Sequence, residues 1–218
     1  MSGIKIVTDW TASAVATSDQ KSFMRVDFSD DDSLIAELIK ASQNVIETYL
    51  NRAITTQTLE LYLDRLPFYS DINYPEGTFT APDMEYNSNY IVLPKPPVAS
   101  VTHVKYFDDS DTEYTYASTN YYVDLISDQA RIVLRTGKSW PTVTATRNAN
   151  AYVVRYVAGY GGASDVPEPI VQAIKLLTSH LYENREAVTS LSVNSIPYTI
   201  GAMLQPYRIL RQQSILGG

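Results

Sequence analysis

Apolar residues recur at spacings of three and four in only parts of this chain, and that change of period constrains its fold more than any other feature. Leu34, Leu38, Ala41, Val45 and Tyr49 form one stripe, with Ile35, Ile39, Ile46 and Leu50 beside it. Such spacing makes a wide apolar helix face, wider than one neighbouring helix covers. A second stripe follows far downstream in Ile170, Ala173, Ile174, Leu177 and Leu181, with Val171, Thr178 and Tyr182 alongside. Between them, residues 55 to 158 read with a period of two. Gln57, Leu59, Leu61 and Leu63 alternate with Thr58, Glu60 and Tyr62, as in a half-buried strand. The expected class is therefore α+β: a helical core from residues 17–52 and 165–211 around a large antiparallel β insertion at 55–158.

Local signals set the element ends. Thr17 followed by Gln20 reads as a capping box opening a short helix to about Arg25, with Phe23, Met24 and Val26 on its apolar side. Ser29 repeats the capping signal ahead of Asp30, Asp31 and Asp32, whose carboxylates suit a helix N-terminus. Pro167 marks the start of the third helix. A last short helix is expected from Gly201 to Arg211. Further strands are expected at 90–93, 98–106, 113–116, 122–125, 131–135 and 152–157, with a turn at Asp108–Asp111, forming one small sheet or a partly open barrel. The stretch from Pro67 to Asn89 is long for a connection inside a compact domain, which predicts that it reaches outward or orders against a partner.

The residues exclude most catalytic chemistry. There is no Cys, so disulfides, thiolate catalysis and Cys-ligated zinc are out. The two histidines, His103 and His180, are far apart in sequence, and no spacing adds carboxylates to them. His180 reads as a helix-face residue pairing with Glu183 or Asn184. Asp30–Asp32 lacks the alternating donors, central Gly and terminal Glu of a calcium loop. The Gly159-Tyr160-Gly161-Gly162 run lacks the Lys-Ser/Thr end of a phosphate loop and reads as a flexible strand exit. A hydrolase built from Asp128, His103 and Ser139 would lack any nucleophile motif. No enzyme, cofactor or metal site is expected.

Charge and composition point to surfaces instead. The formal net charge of −7 opposes wrapping of a phosphate backbone, so duplex DNA binding should be weak and easily lost with salt. No apolar run approaches the roughly 20 residues of a membrane span, and the start does not read as a signal peptide. Tyrosine is over-represented, 17 against 5 Phe and 2 Trp. Phenol rings suit protein interfaces, and equally suit half-buried strands. One reading is a carbohydrate- or peptide-binding β module carried on helices, with a concave site around Trp140 and Tyr152.

A series of fragments carries a more specific reading. They are Asp19-Gln20-Lys21-Ser22-Phe23-Met24-Arg25-Val26-Asp27, Asp31-Asp32-Ser33-Leu34-Ile35, Ile91-Val92-Leu93-Pro94 and Pro97-Val98-Ala99-Ser100-Val101. Tyr122-Val123-Asp124, Gly159-Tyr160-Gly161 and Val166-Pro167-Glu168-Pro169-Ile170 follow in order, then Leu181-Tyr182-Glu183-Asn184-Arg185-Glu186 and Leu204-Gln205-Pro206-Tyr207-Arg208. In order and spacing the chain resembles the head–tail connector (adaptor) proteins of long-tailed bacteriophages, prophages and gene-transfer agents, departing in Met24, where leucine is usual, and in the 67–89 insertion. The resemblance implies a noncatalytic virion subunit at the head–tail interface, forming a ring of typically twelve copies beneath the portal protein. Such a ring extends the DNA channel without sequence-specific binding and receives a stopper or tail-completion protein. It implies portal-docking candidates in Met203, Leu204, Tyr207, Arg208 and Arg211. The apolar residues from Gly201 to Gly218 are too many to leave in water, so this segment either orders only on its partner or packs on the subunit's own helices and seals its core. The ring-contact candidates are Leu34, Leu38, Val45, Tyr49, Ile174 and Leu181.

Overall fold

The structure of the protein, a computed structural model, is described here over residues 2–66, 89–141, 147–184 and 198–209. The expectations for the 67–88 stretch, for residues 186–197 and for Arg211 lie outside these residues. Among the described residues, eight strands and four α-helices follow in chain order: β1 Ser2–Thr8, α1 Thr17–Met24, α2 Asp32–Leu50, β2 Gln57–Leu63, β3 Tyr90–Val92, β4 Val98–Phe107, β5 Glu113–Tyr116, β6 Tyr121–Asp124, β7 Arg131–Leu134, β8 Tyr152–Ala158, α3 Glu168–Glu183 and α4 Tyr198–Leu204. The α+β class and the β insertion between α2 and α3 hold as read from periodicity.

The strands form two antiparallel sheets rather than one, in the orders β1-β2-β8-β4-β5 and β3-β7-β6. Alternation places Leu59, Leu61, Val154, Tyr156 and Val104 on one face of the larger sheet, where they share a core with Ile91, Ile132 and Tyr121 of the smaller one. Tyr156 is fully buried and donates its hydroxyl hydrogen bond to the Pro94 carbonyl at 2.8 Å. Burial raises that phenol well above its ordinary pKa. Strand β1 was not expected, although Ile4-Lys5-Ile6 carries the alternation. It lies at the sheet edge with Ile4 opposite Leu61 and Ile6 opposite Leu59, yet both isoleucines are exposed.

The helices form a second core of Ile35, Ile39, Ile46, Leu50, Ile170, Ile174, Leu177, Ile200 and Leu204. The two cores meet at consecutive residues, Ala53 in one and Ile54 in the other. Gly159 pins this joint: its N–H donates to the Pro97 carbonyl, while the N–H of Tyr160 donates to Ile54 and that of Thr56 to Gly161. The expected flexible exit from β8 is thus a clamped crossing.

Both capping expectations are corrected. The N-cap of α1 is Ala16, without a side-chain cap, and Gln20 is wholly buried, donating to the Lys175 carbonyl and Ser179 Oγ of α3. The N-cap of α2 is Asp31, and Ser29 contributes only its carbonyl, to the Asp32 N–H. These side chains fasten helices to one another, an outcome that local spacing does not encode. Pro167 stands at the start of α3 as read, in the N-cap position just before Glu168.

The buried side of α2 also carries Ser42, Gln43 and Glu47. Gln43 accepts from the Ala14 N–H and donates to Thr55 Oγ1, and Ser42 accepts from Thr178 Oγ1. Glu47 Oε1 accepts from the Ile54 N–H at 2.9 Å, and Gln57 donates to the same carboxylate. Burial raises the Glu47 pKa, an effect these hydrogen bonds only partly offset. A carboxyl that holds its proton more tightly folded than unfolded contributes stability below its unfolded pKa, and loses it as pH rises through the folded value. Glu47→Gln keeps an acceptor for Ile54 and lacks that loss. The variant is therefore expected to gain stability relative to wild type as pH rises from 4 to 7, measured by urea unfolding. A pH-independent difference would refute the assignment.

Candidate interaction surfaces

With the apolar side of α2 committed inward, its other stripe faces out. Val45 is 44% exposed, Ala41 is exposed, and Leu34, Leu38 and Tyr49 are half-buried. Of the ring-contact candidates these four large side chains and the half-buried Leu181 retain a surface to offer. Ile174 does not. Its side chain is fully buried where α3 packs on α2, so it serves the subunit's own core.

The C-terminal candidates divide in the same way. Leu204 is fully buried among the helices, which corrects its expected role in docking. The helix ends there because Pro206 follows, and residues 205–207 form a 3-10 turn. The turn is tied down: Arg52 Nε donates to the Tyr207 carbonyl at 2.5 Å and the Ile209 N–H to the Leu50 carbonyl at 3.0 Å. Residues 198–209 therefore pack on their own subunit instead of waiting for a partner. Met203 and Tyr207 stay half-buried, and the exposed Arg208 lays its guanidinium 4.8 Å from the Tyr49 ring centre. Arg208 thus joins the tail to the outer edge of α2, holding a cation in fixed orientation.

The charges of the large sheet's outer face are largely spent on one another. Lys5, Glu60, Arg155 and His103 are cross-strand neighbours on β1, β2, β8 and β4. Arg155 Nη2 lies 2.6 Å from Glu60 Oε1, and Tyr62 donates to Oε2 at 2.7 Å. Burial alone would raise the Glu60 carboxyl; the Tyr62 and Arg155 hydrogen bonds outweigh it and hold the pKa low. Burial, with Lys105 and Arg155 nearby, lowers the His103 pKa and favours the neutral ring. A face neutralised in this way offers little to a phosphate backbone.

The remaining chemical candidates have structural partners. Asp31 accepts from the Tyr182 hydroxyl of α3, and Asp32 pairs with Lys21 of α1 at 2.6 Å, so two of the three carboxylates bind helices together. Among the described residues no group of three or more His, Cys, Asp or Glu is placed to hold a metal ion. His180 meets Asn184, one of its two expected partners. Trp140 and Tyr152 are 5% and 4% exposed and lie in the β core, Trp140 tilted against Tyr116. They cannot line a concave sugar or peptide site, which removes the binding-module reading. Among the described residues no helix is long and apolar enough to cross a membrane.

A loop that spacing did not single out joins β6 to β7. Asp124 Oδ1 accepts from the N–H groups of Ile126 and Ser127, and Oδ2 from Ser127 Oγ and from Arg131. The Ser127 hydroxyl and the Arg131 guanidinium hold this carboxyl far below the usual range. The resulting rigid turn carries Leu125 and Ile126 outward.

Comparison with known proteins follows the whole length of this architecture. A family model described as head completion protein (HCP) matches residues 15–210. A comparison with curated proteins returns no match. Among solved structures, a chain from the neck of an empty GTA particle computed with C6 symmetry is similar with a TM-score of 0.73 and 20% identity, covering 99% of this chain and 98% of that one. A chain from the virion of a native gene transfer agent (GTA) particle gives 0.72 and 19% over the same shares. One from the neck of a native GTA particle computed with C12 symmetry gives 0.70 and 20%, again over 99% and 98%. At these identities the structural likeness is one of fold.

Proposed function

The chain belongs to the head completion protein family, and on that premise we propose that it is a structural connector subunit at the head–tail junction of a phage-like particle. The observation that carries the reading is the family match over residues 15–210, nearly the whole described fold. Copies close into a ring beneath the portal, extend the DNA channel and offer a docking surface to a stopper or tail-completion protein. Twelve copies accord with the C12 symmetry of one similar neck. The protein acts through its surfaces and not through catalysis. Its net charge of −7 suits a channel wall past which DNA slides without being retained.

In this reading the outer stripe of α2, with Leu34, Leu38, Val45 and Tyr49, meets the neighbouring subunit, and Leu181 lies at its margin. Met203, Tyr207 and Arg208 form the portal-docking surface, Arg208 being already oriented by Tyr49. Arg211 extends the same basic segment in sequence.

Mass photometry of the purified chain, alone and with its portal protein, tests the assembly. Wild type is expected to close into a cyclic ring at high concentration or on the portal. Val45→Asp is expected to remain monomeric, with stability within about 0.5 kcal/mol of wild type because the side chain is exposed. A compact monomer at every concentration, with no portal binding, would reject the connector function.

A further inference from the structure

Among the described residues the five-stranded sheet has two open edges, β1 and β5, each hydrogen-bonded to a strand on one side only. The residues from Gly3 to Thr8 are exposed, as are Glu113, Tyr114 and Thr115. An open edge presents unpaired backbone N–H and C=O groups, and another strand is the group that satisfies them in a row. Neither strand carries a proline, and the bulge of β1 lies at its C-terminal end, between Ile6 and Thr8. The stretch before the bulge is a regular edge that nothing blunts except Lys5.

The two edges match in direction and in face. Four antiparallel steps separate β1 from β5, so both strands run the same way. One cross-strand row, Ile4, Leu61, Val154, Val104 and Tyr116, crosses all five strands on the core side. Its other members are buried, but Ile4 at the β1 end is 41% exposed, and Ile6 on the same side is 54% exposed. At the opposite edge Tyr114, two residues before Tyr116 and on the same side, is 40% exposed. A second copy displaced sideways along the sheet therefore brings its β5 against this β1 as a parallel pair, core side beside core side. Its Tyr116 then continues the row beyond Ile4, and its Tyr114 covers Ile4 from the diagonal position.

We infer that β1 of one copy pairs in parallel with β5 of the next, joining the large sheets of neighbouring copies edge to edge. The second copy is the occupant because its β5 supplies what the β1 edge lacks: an open backbone running in the right direction, with an uncovered aromatic ring on the right side. Pairing of β1 with another β1 would be antiparallel about a two-fold axis, would stop at two copies and would leave both β5 edges open. The β1–β5 contact uses each edge once per copy, and such a head-to-tail contact repeats into a closed ring when its rotation permits. The inference rests on the connector reading and adds a strand contact to the α2 stripe.

The chain has no cysteine, so introduced thiols are its only ones. Gly3→Cys and Thr115→Cys lie at the two ends of one outer-side row, and a Cβ at Gly3 meets nothing within 4 Å. Within one subunit the two positions are four strand spacings apart, roughly 19 Å, beyond the reach of a short bis-maleimide. Rings formed on the portal from G3C mixed equally with T115C are expected to yield cross-linked dimers, and rings of either variant alone none. The double variant G3C/T115C is expected to give a ladder of bands up to the full ring. I4D is expected to lose at least tenfold in ring population by mass photometry while melting as wild type. Rings that give no mixed cross-link overturn the contact and leave the connector function standing, as do cross-links formed by G3C alone, which would place β1 on β1. I4D rings at wild-type yield that fail to bind a purified tail-side protein also overturn it, assigning the edge to that partner. If wild type forms no ring, with or without the portal, the connector function itself falls, and this contact with it.

Discussion

Leu204→Ala is expected to destabilise the subunit by roughly 2–5 kcal/mol, the range for truncating a fully buried leucine whose surroundings cannot collapse. Leu204 is 0% exposed and Ile200 3%, and both belong to the helical core with Ile35, Ile39 and Ile170. The backbone beyond them is equally committed, through the Ile209–Leu50 and Arg52–Tyr207 hydrogen bonds. Removal of residues 198–218 should therefore leave a chain that aggregates or melts far below wild type, rather than a folded subunit merely unable to dock. Urea unfolding of Leu204→Ala and melting of the truncated chain measure the two effects. A truncated chain with an unchanged cooperative transition would return the tail to the role of a free docking arm.

Gly159→Ala should cost about 3 kcal/mol or more, combining a backbone conformation that L residues rarely adopt with a direct overlap. The residue sits at φ +118°, and a Cβ there would lie 2.4 Å from the Thr55 carbonyl oxygen and 2.8 Å from the Thr56 nitrogen. These are backbone atoms held by hydrogen bonds at the joint between the two cores, so they have no cheap way to move. Gly137 provides the contrast: at φ +76°, with nothing within 4 Å of its Cβ position, its alanine variant should cost only about 1–2 kcal/mol. Equal losses at the two positions, measured by chemical denaturation, would show that overlap at Thr55 contributes nothing.

Periodicity made much of the fold legible. Ile35, Ile39, Ile46 and Leu50 are buried as their spacing demands, and the alternation of Leu59, Leu61 and Leu63 faces the β core. The Asp108–Asp111 turn is also as read, with Asp108 Oδ1 accepting from Ser110 and Thr112. Strand β1 escaped notice because its signal is one short alternation in a segment that buries neither of its isoleucines. The capping boxes misled for a different reason. Gln20 and Asp32 can satisfy a helix end locally, but they find partners on α3 and α1 that no local pattern announces. Exposure within the candidate surfaces was not legible in spacing: Val45 and Arg208 are exposed, while Ile174 and Leu204 are core.

The sequence by itself determined the three longer helices and most of the strands, β1 excepted, and the absence of thiol chemistry, because period and composition are local properties of the chain. It also contained the ordered fragments by which the family is recognised. Two wide faces on α2 compete for one interior, and spacing alone ranks them equally. Only the tertiary structure decided between them, since α3 packs on the Ile35–Leu50 side and the Val45 side is left to water. The same holds for the Asp124 turn, whose rigidity depends on Arg131 arriving from the returning strand. Burial is a property of which surfaces meet, and that is settled by contacts between residues far apart in the chain.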